Sequence, residues 1–169
     1  GPLIVIHPGS GGRTKRWPLE RYLDLIRSLS GVRDRRFAVI LGPAEDVLLH
    51  EDVAAFAVVC GLPVEVVRGR TLGEVSKTIR KASVYIGNDS GITHLSALLG
   101  VPTASIFGPT DPEIWRPLGR RVKVVRPAVS CSPCTEEMRN ACPRPRCIES
   151  VSLDDVKRAA ESLACIGQP

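Results

Sequence analysis

A Rossmann-like α/β domain, with a parallel sheet of about six strands flanked by helices, is the fold class this chain predicts. Short apolar runs alternate with helix-period stripes for most of the chain, which favours parallel α/β architecture over a helical bundle or a β sandwich. The loops that leave successive runs are rich in Gly and small polar residues, as expected where a parallel sheet gathers its ligand-binding loops on one edge.

The first strand is expected over 3–7, where Leu3-Ile4-Val5-Ile6 runs into His7. Pro18 suits a first helical turn, and after it Leu19, Tyr22, Leu23, Ile26 and Leu29 fall on one face. A strand follows over 37–41, then a helix over 44–60 whose end the pattern does not fix. The third strand, 63–67, precedes a stripe of Leu72, Val75, Ile79 and Ala82. The fourth, 83–87, contains Val84-Tyr85-Ile86 and enters a helix through Ile92, Leu95, Leu98 and Leu99. That helix stops at Gly100-Val101-Pro102, a Gly-then-Pro ending. Strands over 103–107 and 122–126 complete the sheet. Leu153, Val156, Ala160 and Leu163 make a C-terminal helix at about 152–164. The stripes read as core.

At 169 residues the chain is a single domain, 1–169, long enough for a real core. No apolar run reaches membrane-spanning length and no signal-like segment opens the chain, so a soluble protein without a visible address is expected. The sequence opens at Gly1-Pro2 without Met and enters a strand at once, as a piece cut from a longer protein would. Net charge is +5 and is concentrated late. Arg116, Arg120, Arg121, Lys123, Arg126, Arg139, Arg144 and Arg146 face only Glu136 and Glu137 in that stretch. Such a face draws phosphate, nucleic acid or anionic lipid, or is simply solvated.

Asn88-Asp89-Ser90-Gly91 is the most informative stretch, because it joins an apolar strand to an apolar helix. Small polar residues and Gly at that junction leave backbone N–H groups at the positive end of the helix dipole, an arrangement suited to phosphate. An ordinary cap by Ser90 or Asp89 is the plainer reading. Three further loops share the edge: His7 to Pro18, Gly42-Pro43-Ala44-Glu45-Asp46, and Gly108-Pro109-Thr110-Asp111-Pro112. Four such loops together raise the anion-site reading well above the plain cap. Known fingerprints fail in the first loop. A dinucleotide motif counted from Gly9 needs Gly where Thr14 stands, and a P-loop needs Gly where Thr14 precedes Lys15.

Pro8-Gly9-Ser10 through Lys15-Arg16-Trp17-Pro18, Asn88-Asp89-Ser90-Gly91 with His94, and Phe107-Gly108-Pro109-Thr110-Asp111-Pro112 resemble the C-terminal domain of bacterial ADP-heptose lipopolysaccharide heptosyltransferases. The resemblance covers nearly the whole chain, in order. It implies one half of a GT-B enzyme, two Rossmann-like domains facing across a cleft, with this half binding the donor. Members move heptose from ADP-heptose to the lipopolysaccharide inner core with inversion and without a metal. By match of position Ser10 and Lys15 would hold the diphosphate, and Ser90 and Gly91 would add hydrogen bonds from the helix start. Asp89 would bind donor hydroxyls or organise its loop, Glu45 would contact ribose, and Arg70-Thr71-Leu72 would border adenine. The family's general base is an Asp of the N-terminal domain. This chain would therefore supply no catalytic base and be inactive alone.

His94 on its apolar helix, and His7 at a strand end, read as structural hydrogen-bonders ahead of acid–base roles. Four of the six cysteines form a Cys-rich loop at 131–147, Cys131-x2-Cys134-x7-Cys142-x4-Cys147. A structural zinc, free thiols and disulfides all stay open on spacing alone, and the four are expected to cluster outside the diphosphate site. Cys60 and Cys165 read as small core or surface residues. The expected partners are ADP-heptose or a related nucleotide-sugar and, through the other half, the lipopolysaccharide core. Localisation would be cytoplasmic, including peripheral contact at the inner face of the membrane. A non-catalytic nucleotide-binding domain is a rival reading. A basic four-cysteine zinc module for nucleic acid is another, weakened by few aromatics and by Gly loops it would not need.

Overall fold

The computed structural model describes residues 1–31, 34–42, 53–54, 61–68 and 71–165. Six strands form one sheet: β1 (Leu3–His7), β2 (Arg36–Leu41), β3 (Val64–Arg68), β4 (Val84–Asn88), β5 (Thr103–Ile106) and β6 (Val122–Val125). Their order is β3-β2-β1-β4-β5-β6, and every neighbouring pair is parallel. This is the doubly wound order, in which the chain works outward from β1 to one edge and returns to build the other. The expected strands lie within a residue of those observed. The expected helix over 44–60 lies almost entirely outside the described residues, as do Cys60 and the side chain of Cys165.

Burial explains the layering. Every residue of β1, β4 and β5 is buried, whereas the edge strands β3 and β6 alternate with solvent. Side chains alternate between the faces, so Ile4 and Ile6 enter one core while Leu3 and Val5 enter another. The first core packs against α1 (Leu19–Ser30), through Tyr22, Leu25, Ile26 and Leu29, and against α7 (Leu153–Cys165), through Val156, Ala160 and Leu163. Trp17 closes its end, meeting Tyr22 edge to face at 4.9 Å between ring centres. The second core packs against α2 (Leu72–Arg80) and α3 (Gly91–Leu98). Short helices α4 (Pro112–Trp115), α5 (Glu136–Ala141) and α6 (Arg146–Glu149) punctuate the later loops.

Two expected core positions are corrected. Leu72 is exposed, because it is the first residue of α2 and sheet-facing positions begin a turn later at Val75. Leu98 is 72 % exposed, because α3 turns Thr93, Ser96 and Ala97 toward the sheet instead. Those hydroxyls are satisfied where they are buried. Thr93 Oγ1 donates to the Asn88 carbonyl at 2.5 Å, and Ser96 Oγ meets Thr103 Oγ1 at 3.0 Å. Gly100, at φ 77°, ends α3 in the left-handed region that a side chain would strain.

Candidate functional site

Strand order reverses between β1 and β4, so the loops leaving their carboxyl ends diverge to opposite faces and open a crevice. Asn88, the last residue of β4, organises that crevice. Its fully buried amide Nδ2 donates to the Pro8 carbonyl at 2.7 Å, and its Oδ1 accepts from Trp17 N at 3.0 Å and Tyr22 Oη at 2.9 Å. Both arms of the β1 loop are thereby fastened to β4. A 3-10 turn, Arg13–Lys15, lies between the arms and carries Lys15 over the crevice.

Asp89 is the hub. Its Oδ2 accepts from Lys15 Nζ at 3.1 Å and from Thr110 Oγ1 at 2.9 Å, and its carbonyl accepts from Ser10 Oγ at 2.9 Å. Arg16 Nε in turn donates to the Ser10 carbonyl at 2.9 Å. Three chain segments, leaving β1, β4 and β5, thus converge on one carboxylate. The Lys15 side chain is a quarter exposed while that of Asp89 is 7 % exposed, so the ammonium faces the crevice and the carboxylate lies behind it.

Ser90 caps α3 by accepting from Thr93 N at a long 3.4 Å, and its hydroxyl meets Thr93 Oγ1 at 3.1 Å. The amides of Gly91 and Ile92 have no acceptor among the described residues. They stand at the start of α3, two residues after the Asp89 that binds Lys15, and the helix dipole adds positive potential there. Beneath them Tyr85 meets Thr93 Oγ1 at 3.2 Å, and burial raises its phenol pKa against the opposing hydrogen bonds of Thr93 and Ser90. The floor is therefore neutral. The rim carries Arg13, Lys15 and Arg16 from a loop without an acid, so Asp89 is the anion that a ligand phosphate would meet already paired.

Ser10, Lys15, Asp89, Ser90 and Gly91, expected together, do come together. Ser10 is buried and its hydroxyl fastens two loops, so it faces inward instead of toward the crevice. Glu45 and Arg70 lie outside the described residues. Thr71 is the N-cap of α2 in a capping box: its N–H donates to Glu74 Oε2 at 2.9 Å and its Oγ1 accepts from Glu74 N at 3.3 Å. Asn88 and Thr110 carry roles that the sequence reading quoted without assigning. His7 behaves as expected, its Nδ1 donating to the Ile40 carbonyl at 2.9 Å. His94 does not: it is half-buried and its imidazole has no hydrogen-bond partner among the described residues, because the inward face of α3 belongs to Thr93 and Ser96.

The cysteine loop meets the loops that leave β1 and β5, at Thr14 and Pro109. Cys131, Cys134, Cys142 and Cys147 are free thiols that wall one pocket of about 100 Å³, together with Thr14 and Pro109. Burial raises the Cys134 thiol pKa, helped by Cys131 and Cys142 and opposed by Arg139. Burial also raises that of Cys147, opposed by the Ile148 N–H and reinforced by the other three thiols. Among the described residues no group of three or more His, Cys, Asp or Glu side chains is placed so that it could hold a metal ion.

Residues 1–143 match the family model described as glycosyltransferase family 9 (heptosyltransferase). Lipopolysaccharide heptosyltransferase 2 of Escherichia coli K12 is 31 % identical over 134 residues, covering 74 % of this chain and 36 % of that protein. Lipopolysaccharide heptosyltransferase 1 of Pseudomonas aeruginosa is 30 % identical over 158 residues, covering 93 % and 42 %. Among solved structures, E. coli ADP-heptose LPS heptosyltransferase II superimposes with a TM-score of 0.80 at 23 % identity, covering 98 % of this chain and 47 % of that one. An E. coli heptosyltransferase solved with ADP gives 0.72 at 24 %, covering 96 % and 44 %. The chain thus spans less than half the length of these relatives.

Proposed function

The chain belongs to glycosyltransferase family 9, the heptosyltransferase family, and from that premise we propose that it is the donor-binding half of an inverting, metal-independent GT-B enzyme. The reaction is transfer of heptose from ADP-heptose to the lipopolysaccharide inner core. The observation that carries the proposal is the convergence of three loops on Asp89, which holds Lys15 two residues before α3 opens with the free amides of Gly91 and Ile92. That constellation suits an anion such as the diphosphate of a nucleotide-sugar.

As the bond from heptose C1 to the diphosphate oxygen breaks, negative charge grows on the leaving ADP. Lys15 and the start of α3 stabilise that charge from fixed positions, without reorganising at the moment of reaction. Thr110 and Lys15 both bind Asp89 Oδ2, so the carboxylate orients the ammonium while keeping its second oxygen for a donor hydroxyl. Ser10 supports the site from below. Glu45 is assigned to the ribose and Arg70-Thr71 to the edge of the adenine. The general base that deprotonates the acceptor hydroxyl belongs to the other half, so this chain alone binds donor and transfers nothing. No described helix is long and apolar enough to cross a membrane. The proposal places the enzyme in the cytoplasm, meeting its lipid-borne acceptor at the inner face of the membrane.

The test uses the full-length protein, ADP-heptose and a heptose-deficient lipopolysaccharide acceptor, with the new linkage read by NMR. Transfer with inverted anomeric configuration, lost when only residues 1–169 are supplied, is the expected result. Retention of configuration, or turnover by this chain alone, contradicts the proposal.

A further inference from the structure

The crossover from β5 to β6 leaves its large apolar side chains without a core. Parallel strands are usually joined by a helix that buries an apolar stripe against the sheet. Here α4 stops at Trp115, because Pro117 drives Arg116 into the extended region (φ −60°, ψ 141°), and no helix follows before β6. Pro112 and Pro117 take the inward positions, and between Glu113 and Arg120 only Pro117 is buried. Ile114, Trp115 and Leu118 are left 71, 56 and 75 % exposed, three large apolar side chains within five positions.

Leu98 belongs to the same surface. Gly119 lies against the end of α3, where a Cβ on it would stand 3.0 Å from the Ala97 carbonyl oxygen and 3.2 Å from Ala97 Cβ. Exposed Leu98 and exposed Leu118 are each one residue from that contact. Both lie toward the amino-terminal edge of the sheet, since α3 runs back from the end of β4 and β6 starts at Val122. The donor crevice opens at the opposite edge, so a second domain facing the crevice leaves Leu98 and Leu118 uncovered.

The charge around these side chains is one-sided. Over 91–135, which holds α3 and the crossover, Asp111 and Glu113 are the only acids, against Arg116, Arg120, Arg121, Lys123 and Arg126. Arg116 and Arg120 are exposed within the apolar run itself. A second copy docked by this patch about a two-fold axis would bring those arginines against their own equivalents. An anionic partner meets no such repulsion.

We propose that Leu98, Ile114, Trp115 and Leu118, with Arg116 and Arg120 among them, form a contact surface for an anionic lipid bilayer. The aliphatic side chains enter the boundary between headgroups and acyl chains, the indole sits at that interface, and the two guanidinium groups reach lipid phosphates. That the partner is a bilayer rests on the reading of a lipid-borne acceptor; the patch itself stands on exposure and charge.

The experiment sediments the full-length protein with vesicles of phosphatidylcholine alone and of phosphatidylcholine mixed with phosphatidylglycerol. Binding to the anionic vesicles, weakened by salt, is the expected result. Trp115→Ser with Leu118→Ser should lower partitioning at least ~10-fold, and Arg116→Gln and Arg120→Gln should each lower it about 5-fold on anionic vesicles only. Circular dichroism and ADP titration of the same variants should match wild type, because none of these residues touches the crevice. Equal partitioning of wild type and the Trp115→Ser, Leu118→Ser protein would place the membrane contact elsewhere and overturn the surface. Failure of wild type to bind either vesicle, or a dimer in sedimentation velocity that the double variant abolishes, would overturn it too. Loss of vesicle binding with ADP binding intact leaves the donor-site reading standing, whereas vesicle binding by a protein that takes no ADP would count against that reading alone.

Discussion

Replacing Asn88 tests the organisation of the crevice at its most buried point. Asn88→Ala removes an acceptor shared by Trp17 N and Tyr22 Oη and a donor to the Pro8 carbonyl, three groups that the structure holds away from water. Each orphaned group costs about 1–3 kcal/mol, and a water admitted to the space returns part of that. A net loss of about 3–5 kcal/mol is expected, a large share of a typical domain stability of about 5–15 kcal/mol. Asn88→Asp is the sharper probe because it keeps the shape. Its two oxygens can still accept from Trp17 and Tyr22, but the atom facing the Pro8 carbonyl can donate only when protonated. The folded state therefore favours the acid form and raises its pKa above the unfolded value of about 3.9. The sign follows from linkage. Stability relative to wild type is retained below the unfolded pKa and is lost as pH rises toward the folded pKa. Urea denaturation followed by circular dichroism, run on both proteins at about pH 4 and pH 8, reads the difference. A pH-independent deficit for Asn88→Asp, or a loss under about 1 kcal/mol for Asn88→Ala, would refute the reasoning.

Other substitutions separate packing from ligand chemistry. A Cβ at Gly108 would meet Ile148 Cβ at 2.8 Å and its Cα at 3.2 Å, atoms that cannot swing aside. Gly108→Ala should therefore lower stability by about 1–3 kcal/mol in thermal or urea denaturation, and a neutral result would mean that the β5 loop and α6 do not press together. Leu98→Gln should stay within about 0.5 kcal/mol of wild type while Ile79→Ala loses about 2–5 kcal/mol, and similar losses for both would return Leu98 to the core. Thr110→Val keeps the side-chain shape but removes the hydrogen bond to Asp89. It should weaken ADP by about 1 kcal/mol in calorimetry, and unchanged affinity would exclude Thr110 from positioning the carboxylate.

Much of this arrangement is legible in the sequence, and the parts that are not share a cause. Val and Ile runs mark the strands because a parallel sheet buries both faces, and Gly with small polar residues marks the strand ends because backbone must approach there. The role of Asn88 is hidden because its partners lie 66 to 80 positions away, at Tyr22, Trp17 and Pro8. Thr110 is hidden for the same reason, 21 positions from Asp89. Helix α3 misleads in the opposite way. Leucine periodicity points Leu98 inward, but the sheet receives Thr93 and Ser96, whose hydroxyls find acceptors that only the tertiary fold supplies. Leu72 shows the limit of a stripe at a helix end, where periodicity continues after the sheet has stopped. The four thiols needed only their spacing to be suspected. Their meeting with Thr14 and Pro109, more than a hundred and about two dozen residues upstream of the first cysteine respectively, needed the fold.

Titration of this domain with ADP and with adenosine, before and after Lys15→Ala, tests the donor-site account most directly. The ammonium lies 3.1 Å from Asp89 at the crevice rim, so its removal takes away a phosphate partner and leaves the carboxylate facing the ligand with Thr110 alone. ADP should weaken by about 1–3 kcal/mol, toward the upper end because of that exposed charge. Adenosine, which carries no phosphate, should bind the two proteins alike. Equal losses for both ligands would show that Lys15 supports the fold and not the diphosphate, and that result would contradict the account.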